Sequence, residues 1–173
     1  HCAPPEEGGW SARNWLFVKV ETDAGIYGIG EASGWPRVVE TAIRDLTPLM
    51  LGEDPCHIEK LWSKMLAAMM GHGMTGIVGA GALSGIEIAL WDIKGKALGV
   101  PVYELLGGRV RDRVVCYPHN GDPRSIDALV ENWRDKQALG WNFARWGIVD
   151  PEGEAGNIFE PSRAVRFGIE QVR

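Results

Sequence analysis

The chain has 173 residues, 45% of them apolar and 24% charged, and a formal net charge of −5. That is enough for one ordinary domain or parts of two, and it predicts a packed core. It argues against a basic nucleic-acid face, a polybasic membrane anchor and, with no long apolar run or signal-peptide pattern, a membrane or secretory destination.

Cys2, Cys56 and Cys116 lie far apart with no CxxC pair. A disulfide scaffold or structural zinc site is therefore not expected, and a reduced, cytoplasmic setting is. The 23 glycines and 8 tryptophans predict tight turns and aromatic-lined loops. Both ends read as cut: "HCAPPEEGGW" is a loop with nothing before it, and "EPSRAVRFGIEQVR" is a helix begun without a visible stop.

In chain order, "NWLFVKVETDAGIYGIGEAS" predicts a hairpin. Leu16, Val18 and Val20 alternate with Phe17, Lys19 and Glu21, Asp23-Ala24-Gly25 turns the chain, and Ile26 to Glu31 returns. Gly28-Ile29-Gly30 with Gly34 has a GxGxxxG spacing, but no helix opens directly behind it in a βαβ unit, so a dinucleotide loop is not supported. "PRVVETAIRDLTPLML" predicts a helix opened by Pro36. "DPCHIEKLWSKMLAAMM" predicts another, with Asp54 as N-cap and an apolar stripe of Ile58, Leu61, Trp62, Met65 and Met69. A Gly-rich connector, "GHGMTGIVGAGALSG", leads into the helix "ALSGIEIALWDIKGKALGVPVYELLGG", which Gly99 stops and Pro101 cannot continue. After Gly108 the pattern becomes strand, helix, strand, helix: "DRVVCYPHNG", "DPRSIDALVENWRDKQALG" with Asp122 as cap, "WNFARWGI", and "EPSRAVRFGIEQVR". Short links between such elements predict βα units on a parallel sheet.

Residues 82–107 resemble the signature of the mandelate racemase/muconate lactonizing enzyme family of the enolase superfamily. The residues that carry the likeness are Ala82, Ser84-Gly85-Ile86-Glu87, Ala89-Leu90, Asp92-Ile93, Gly95-Lys96, Pro101-Val102 and Leu105-Leu106-Gly107. "YPHN" and "FARWG" are most similar to the acid-sugar dehydratases grouped around D-galactonate dehydratase. The resemblance implies an α+β capping domain over residues 1–108, its first strand incomplete. Residues 109–173 would be the first two βα units of a (β/α)7β barrel. A barrel needs ~250 residues, so the chain is expected to be an N-terminal portion. The stretch 82–107 reads as the helix joining cap to barrel: Ile86, Ala89, Leu90 and Ile93 share a buried face, and Asp92 can pair with Lys96. Glu87 or Asp92 as a catalytic acid is the alternative.

The family reaction implied is abstraction of a proton α to a carboxylate, with Mg²⁺ stabilising the enediolate. Its metal ligands are acids on later barrel strands, expected beyond Arg173. Asp150, Glu152 and Glu154 read as a solvated charge run. Barrel sites form at strand C-termini, which here offer Tyr117-Pro118-His119-Asn120 and Arg145-Trp146-Gly147. Racemases of the family carry a Lys-x-Lys pair on the second strand, and this chain has Arg145 there. Arginine is a poor general base but a good bidentate holder of a carboxylate. A dehydratase is therefore favoured over a racemase or epimerase, and a non-catalytic cap module is the alternative from another class. Arg145 is open between substrate contact and a structural ion pair. His119 is open between a catalytic role and a plain loop histidine, and Asn120 between a sugar hydroxyl and the turn. Trp146, Trp10 and Arg13 are further substrate-contact candidates, the last two on a mobile cap loop. Trp15 is expected to start the first strand of the hairpin. The implied partners are a small carboxylate or sugar acid and further copies of the full-length protein.

Overall fold

The computed structural model describes residues 15–71, 73, 76–120, 125–146 and 161–171. The chain divides into two compact units, one ending at Val110 and the other starting at Arg111.

The first unit opens with an antiparallel hairpin of β1 (Leu16–Glu21) and β2 (Tyr27–Ala32), in the register Val18↔Gly30 and Val20↔Gly28. Gly25, at φ 76°, makes the turn, a conformation that costs a glycine nothing. Thr22 locks the hairpin end: its N–H donates to the Ile26 carbonyl at 3.0 Å, and its hydroxyl donates to the same oxygen at 2.8 Å. Val18 and Ala32 are buried, while Phe17 and Lys19 face out, the period of two expected of a half-covered sheet.

Among the described residues of this unit follow four α-helices, α1 (Pro36–Leu46), α2 (Ile58–Gly71), α3 (Ile77–Leu98) and the single turn α4 (Val102–Leu105), with a 3-10 turn at Thr47–Leu49. The predicted apolar stripe of α2 is the one buried: Ile58, Leu61, Met65 and Met69, with Trp62 partly covered. Two boundaries differ from the sequence expectation. α2 begins at Ile58, because the Asp54 carboxylate accepts from the Cys56 N–H at 2.8 Å and closes a local turn that precedes the helix. α3 begins at Ile77, so much of the expected Gly-rich connector is helical.

Packing explains the glycines inside α3. A Cβ on Gly28 or Gly30 of β2 would strike the carbonyl of Ala89 or Gly85, and one on Gly81 would strike that of Ser33. Strand and helix therefore touch backbone to backbone, which only hydrogen side chains allow. Gly28 and Gly30, two of the glycines in the GxGxxxG spacing, serve this contact. Around it Val39, Leu61, Met65, Ile86 and Leu90 form the core. Gly99, at φ 69°, ends α3, with the Val100 N–H donating to the Gly95 carbonyl at 3.0 Å. This is the left-handed helix stop predicted before Pro101.

Asp92 and Lys96 do more than pair along α3. Lys96 Nζ donates to Asp92 Oδ2 at 2.7 Å and to the Tyr27 carbonyl at 2.7 Å, while the Ile29 N–H donates to Asp92 Oδ2 at 2.9 Å. In this register the backbones of Tyr27 and Ile29 face away from β1, so two helix side chains satisfy the outer edge of β2. The lysine hydrogen bond, helped by that of Ile29, holds the Asp92 carboxyl below its ordinary value against a smaller opposing effect of burial. Glu53, bonded by Lys60 at 2.8 Å and Lys64 at 2.7 Å, is held down to about 2. A carboxylate with a lowered folded-state pKa contributes stability that is full above its ordinary pKa and is lost as pH falls through the folded value. Stability is accordingly expected to fall from pH 4.5 toward about 2, the range spanned by Glu53, and Glu53→Gln should flatten that decline. Urea unfolding midpoints measured against pH check it. An unchanged slope in the variant would show that other carboxylates set the acid limit.

In the second unit the described residues form α5 (Ile126–Ala138), α6 (Pro161–Gln171) and two extended segments. The cap of α5 is Ser125, whose Oγ accepts from the Ala128 N–H at 3.2 Å, and the expected cap Asp122 lies outside the described residues. Of the predicted inward residues Leu129 is buried, Trp133 is partly covered, and Ile126 and Val130 are more than a third exposed. Among the described residues the two expected strands meet only at an isolated parallel bridge, His119↔Arg145, and Val114 and Val115 are largely exposed. Parallel ladders need neighbours and cover on both faces. Among the described residues of this unit, α5 packs on one face of the bridge.

Candidate functional site

The bridge sets the site's geometry. The Arg145 N–H donates to the Pro118 carbonyl at 3.1 Å, and the Asn120 N–H donates to the Arg145 carbonyl. Residues paired across a ladder project to the same face, and their immediate successors to the other. His119 and Arg145 therefore share one face, and both are exposed. His119 Nδ1 lies 3.2 Å from the Arg145 carbonyl oxygen. A carbonyl only accepts, so the contact is a hydrogen bond in the tautomer or charged form that carries a proton on Nδ1. Among the described residues no carboxylate forms an ion pair with Arg145.

Asn120 and Trp146, one residue further along each segment, turn toward α5. Asn120 is only 3% exposed, and its Nδ2 donates to the Leu129 carbonyl at 3.2 Å. Asn132 Nδ2 in turn donates to the Asn120 carbonyl at 3.4 Å. Asn120 Oδ1 has no hydrogen-bond partner among the described residues. Trp146 lines a cavity of about 350 Å³ with Leu129, Val130, Trp133 and Phe143. The four strand-end candidates thus separate into an exposed pair and a helix-facing pair. Period-two alternation would have separated them from sequence alone. Asn132 was missed by sequence reasoning; its one signal was an asparagine, a poor helix former, in mid-helix.

A larger cavity, about 430 Å³, runs along β1 over Leu61, Ile86 and Leu90. Its floor is core hydrocarbon, and the strand-end residues have no part in it. Trp10 and Arg13 lie outside the described residues, as do His72, Asp150, Glu152 and Glu154. Glu87 Oε1 accepts from Trp91 Nε1 at 3.3 Å, and Asp92 is engaged with β2, so both acids of α3 have structural partners. Among the described residues no three His, Cys, Asp or Glu side chains converge as a metal site would need, and no helix is long and apolar enough to cross a membrane. The residues described do not fit a Mg²⁺ centre.

Residues 8–107 match the N-terminal domain of the mandelate racemase / muconate lactonizing enzyme family. The chain belongs to that family, and its first unit is the capping domain of the enolase superfamily. Among individual relatives, D-galactonate dehydratase of Xanthomonas oryzae pv. oryzae is 48% identical over 164 residues, 94% of this chain and 41% of that protein. The same enzyme of Verminephrobacter eiseniae is 40% identical over 91% of this chain and 40% of its own length. The chain thus spans about two fifths of the curated relatives it matches. Of solved structures, a protein of Zymomonas mobilis ZM4 provisionally named a dehydratase superposes with a TM-score of 0.80 at 31% identity, over 91% of this chain and 45% of that one. An enolase of Pantoea ananatis with bound D-gluconate and Mg superposes at 0.69 with 38% identity, over 77% and 32%.

Proposed function

We propose that these residues belong to a Mg²⁺-dependent dehydratase of acid sugars, with D-galactonate the first substrate to test. The observation that carries this is the 48% identity to D-galactonate dehydratase across 94% of the chain. In the reaction a base takes the proton α to the carboxylate, the neighbouring C–OH bond breaks, and water leaves. The resulting enol tautomerises to a 2-keto-3-deoxy acid. Residues 1–108 are the cap, and residues 109–173 begin a (β/α) barrel whose later strands carry the metal ligands and the base. The contribution of this chain is binding and orientation. Arg145 holds the substrate carboxylate through paired N–H donors, and His119 beside it hydrogen-bonds or exchanges a proton with a hydroxyl. Trp10 and Arg13 are further substrate-contact candidates, and Trp146 and Asn120 support the strand ends from the helix side. The full-length protein works in the cytoplasm as a homo-oligomer.

Assay of the full-length protein against a panel of acid sugars with Mg²⁺ tests the reading, and a 2-keto-3-deoxy product is expected. Inversion of the α carbon without water loss would make it an epimerase. No turnover on any member would favour the non-catalytic alternative. The 173 residues alone are expected to show neither turnover nor tight Mg²⁺ binding by calorimetric titration, because an octahedral oxygen site needs carboxylates on rigid elements. Micromolar binding would mean that the metal site lies in this chain after all.

A further inference from the structure

Every second residue from Trp15 to Glu21 and from Tyr27 to Glu31 leaves the core, and on that outer face of the hairpin large apolar side chains stand among charges. Trp15, Phe17, Tyr27 and Ile29 are 46%, 60%, 45% and 46% exposed. The face has three rows, Phe17↔Glu31, Lys19↔Ile29 and Glu21↔Tyr27. The twist of the pair closes one diagonal: Lys19 Nζ lies 4.7 Å from the centre of the Tyr27 ring, although its row partner is Ile29. The same diagonal sets Phe17 beside Ile29, within reach of an aromatic ring. Four half-exposed side chains of this size offer on the order of 400 Å², about half of the ~800 Å² per partner that a stable interface buries. The charges of the face complement one another. Lys96 Nζ lies 4.5 Å from the Tyr27 ring, so two cations stand at the Tyr27 row. Glu31 stands at the opposite row, and no cation forms an ion pair with it among the described residues.

We propose that this face is where two copies of the protein meet, sheet against sheet across a twofold axis through the Lys19–Ile29 row. The inference rests on the homo-oligomer reading above and supplies its contact. A twofold interface sets one patch against itself. An axis lying across the strands reverses the order of the rows. Each Ile29 then packs on Ile29 of the second copy, and each Glu31 meets the Tyr27 row of the second copy, where Lys19 and Lys96 stand. Lys19 is drawn away from the axis along its own sheet, by Glu21 at 2.6 Å and by the Tyr27 ring. Stacked sheets lie ~10 Å apart with their strands within about 30°, so a flat face of this kind accepts another like it. A partner of uniform charge would meet like charge somewhere on a face that carries both signs. The remaining interface area lies outside the hairpin.

The test uses the full-length protein, with molecular mass followed by sedimentation velocity over a dilution series and folding followed by circular dichroism. The wild type is expected to assemble. Ile29→Arg sets two cations against each other at the axis, and Phe17→Arg buries a charge beside it. Each should weaken assembly by about a hundredfold or more, the scale of a central interface residue, while the spectrum of the folded protein is kept. Ile29→Leu should assemble as the wild type does. Glu31→Gln should weaken assembly about tenfold at low salt and less at high salt, as a lost charge pair does. Leu51→Arg, on an exposed residue away from this face, should leave the mass unchanged. A monomeric wild type overturns the proposal, as does an unchanged mass in both arginine variants at Phe17 and Ile29. Loss of the folded spectrum in both of those variants would show the face covered by the protein's own chain, and overturns it too. Turnover of acid sugars, read on the wild type alongside, keeps the two readings apart. A monomer that turns over sinks the interface and leaves the dehydratase, and an inactive wild type that the arginine variants dissociate upholds the interface and sinks the dehydratase.

Discussion

Gly30→Val is expected to unfold the capping unit or cost it at least about 3 kcal/mol, the upper range for overpacking a core. The Cβ would land on the Gly85 carbonyl, with the Ala89 amide beside it. Neither can retreat as a flexible side chain could, because both belong to the backbone of α3, whose Ile86 and Leu90 lie in the same buried core as Leu61 and Val39. Relief would require lifting the strand from the helix along its length, since Gly28 makes the same approach to Ala89 one residue pair away. Gly25→Ala is the matched control. Gly25 has open space around its Cβ position and only a positive φ, so alanine should cost about 1–2 kcal/mol of local strain. Urea denaturation followed by circular dichroism separates the two. A Gly30→Val protein as stable as Gly25→Ala would mean that strand and helix do not touch as described.

That contrast shows which parts of the fold were legible in the residues. The turn at Gly25, the buried stripe of α2 and the stop at Gly99 are local problems, and local chemistry solves them: a positive φ, an apolar period, a missing Cβ before a proline. The start of α3 was not legible, because glycine argues against helix when judged by propensity. Gly81 is helical for a tertiary reason, the Ser33 carbonyl pressed against it. Likewise the Asp92–Lys96 spacing announced an ion pair, but not that the pair would close the edge of β2. At the strand ends, the residue types identified the candidates and alternation divides them. What no pattern within the chain could show is that Asn132 reaches back to residue 120, a contact fixed by how α5 lies on the bridge.

In the full-length enzyme, Arg145→Ala is expected to lower kcat/KM by about 10²- to 10³-fold, in line with the 2–5 kcal/mol lost when one member of a desolvated charge pair is removed. KM should carry much of the change, because a carboxylate grip acts on bound substrate before and during reaction. Arg145→Lys keeps the charge but loses the planar fork, so an intermediate loss of about tenfold is expected. The competing role is a structural ion pair. Arg145 is exposed and no described carboxylate pairs with it, so a structural role predicts a lowered thermal midpoint with KM unmoved. Its backbone, which bonds Pro118 and Asn120, is the same in either variant, so the bridge should survive and the side chain alone is tested. Steady-state kinetics on the best acid sugar, read beside the melting temperature of each variant, decide the matter. Loss of stability with an unchanged KM would remove Arg145 from the substrate and leave His119 as the strand-end residue to pursue.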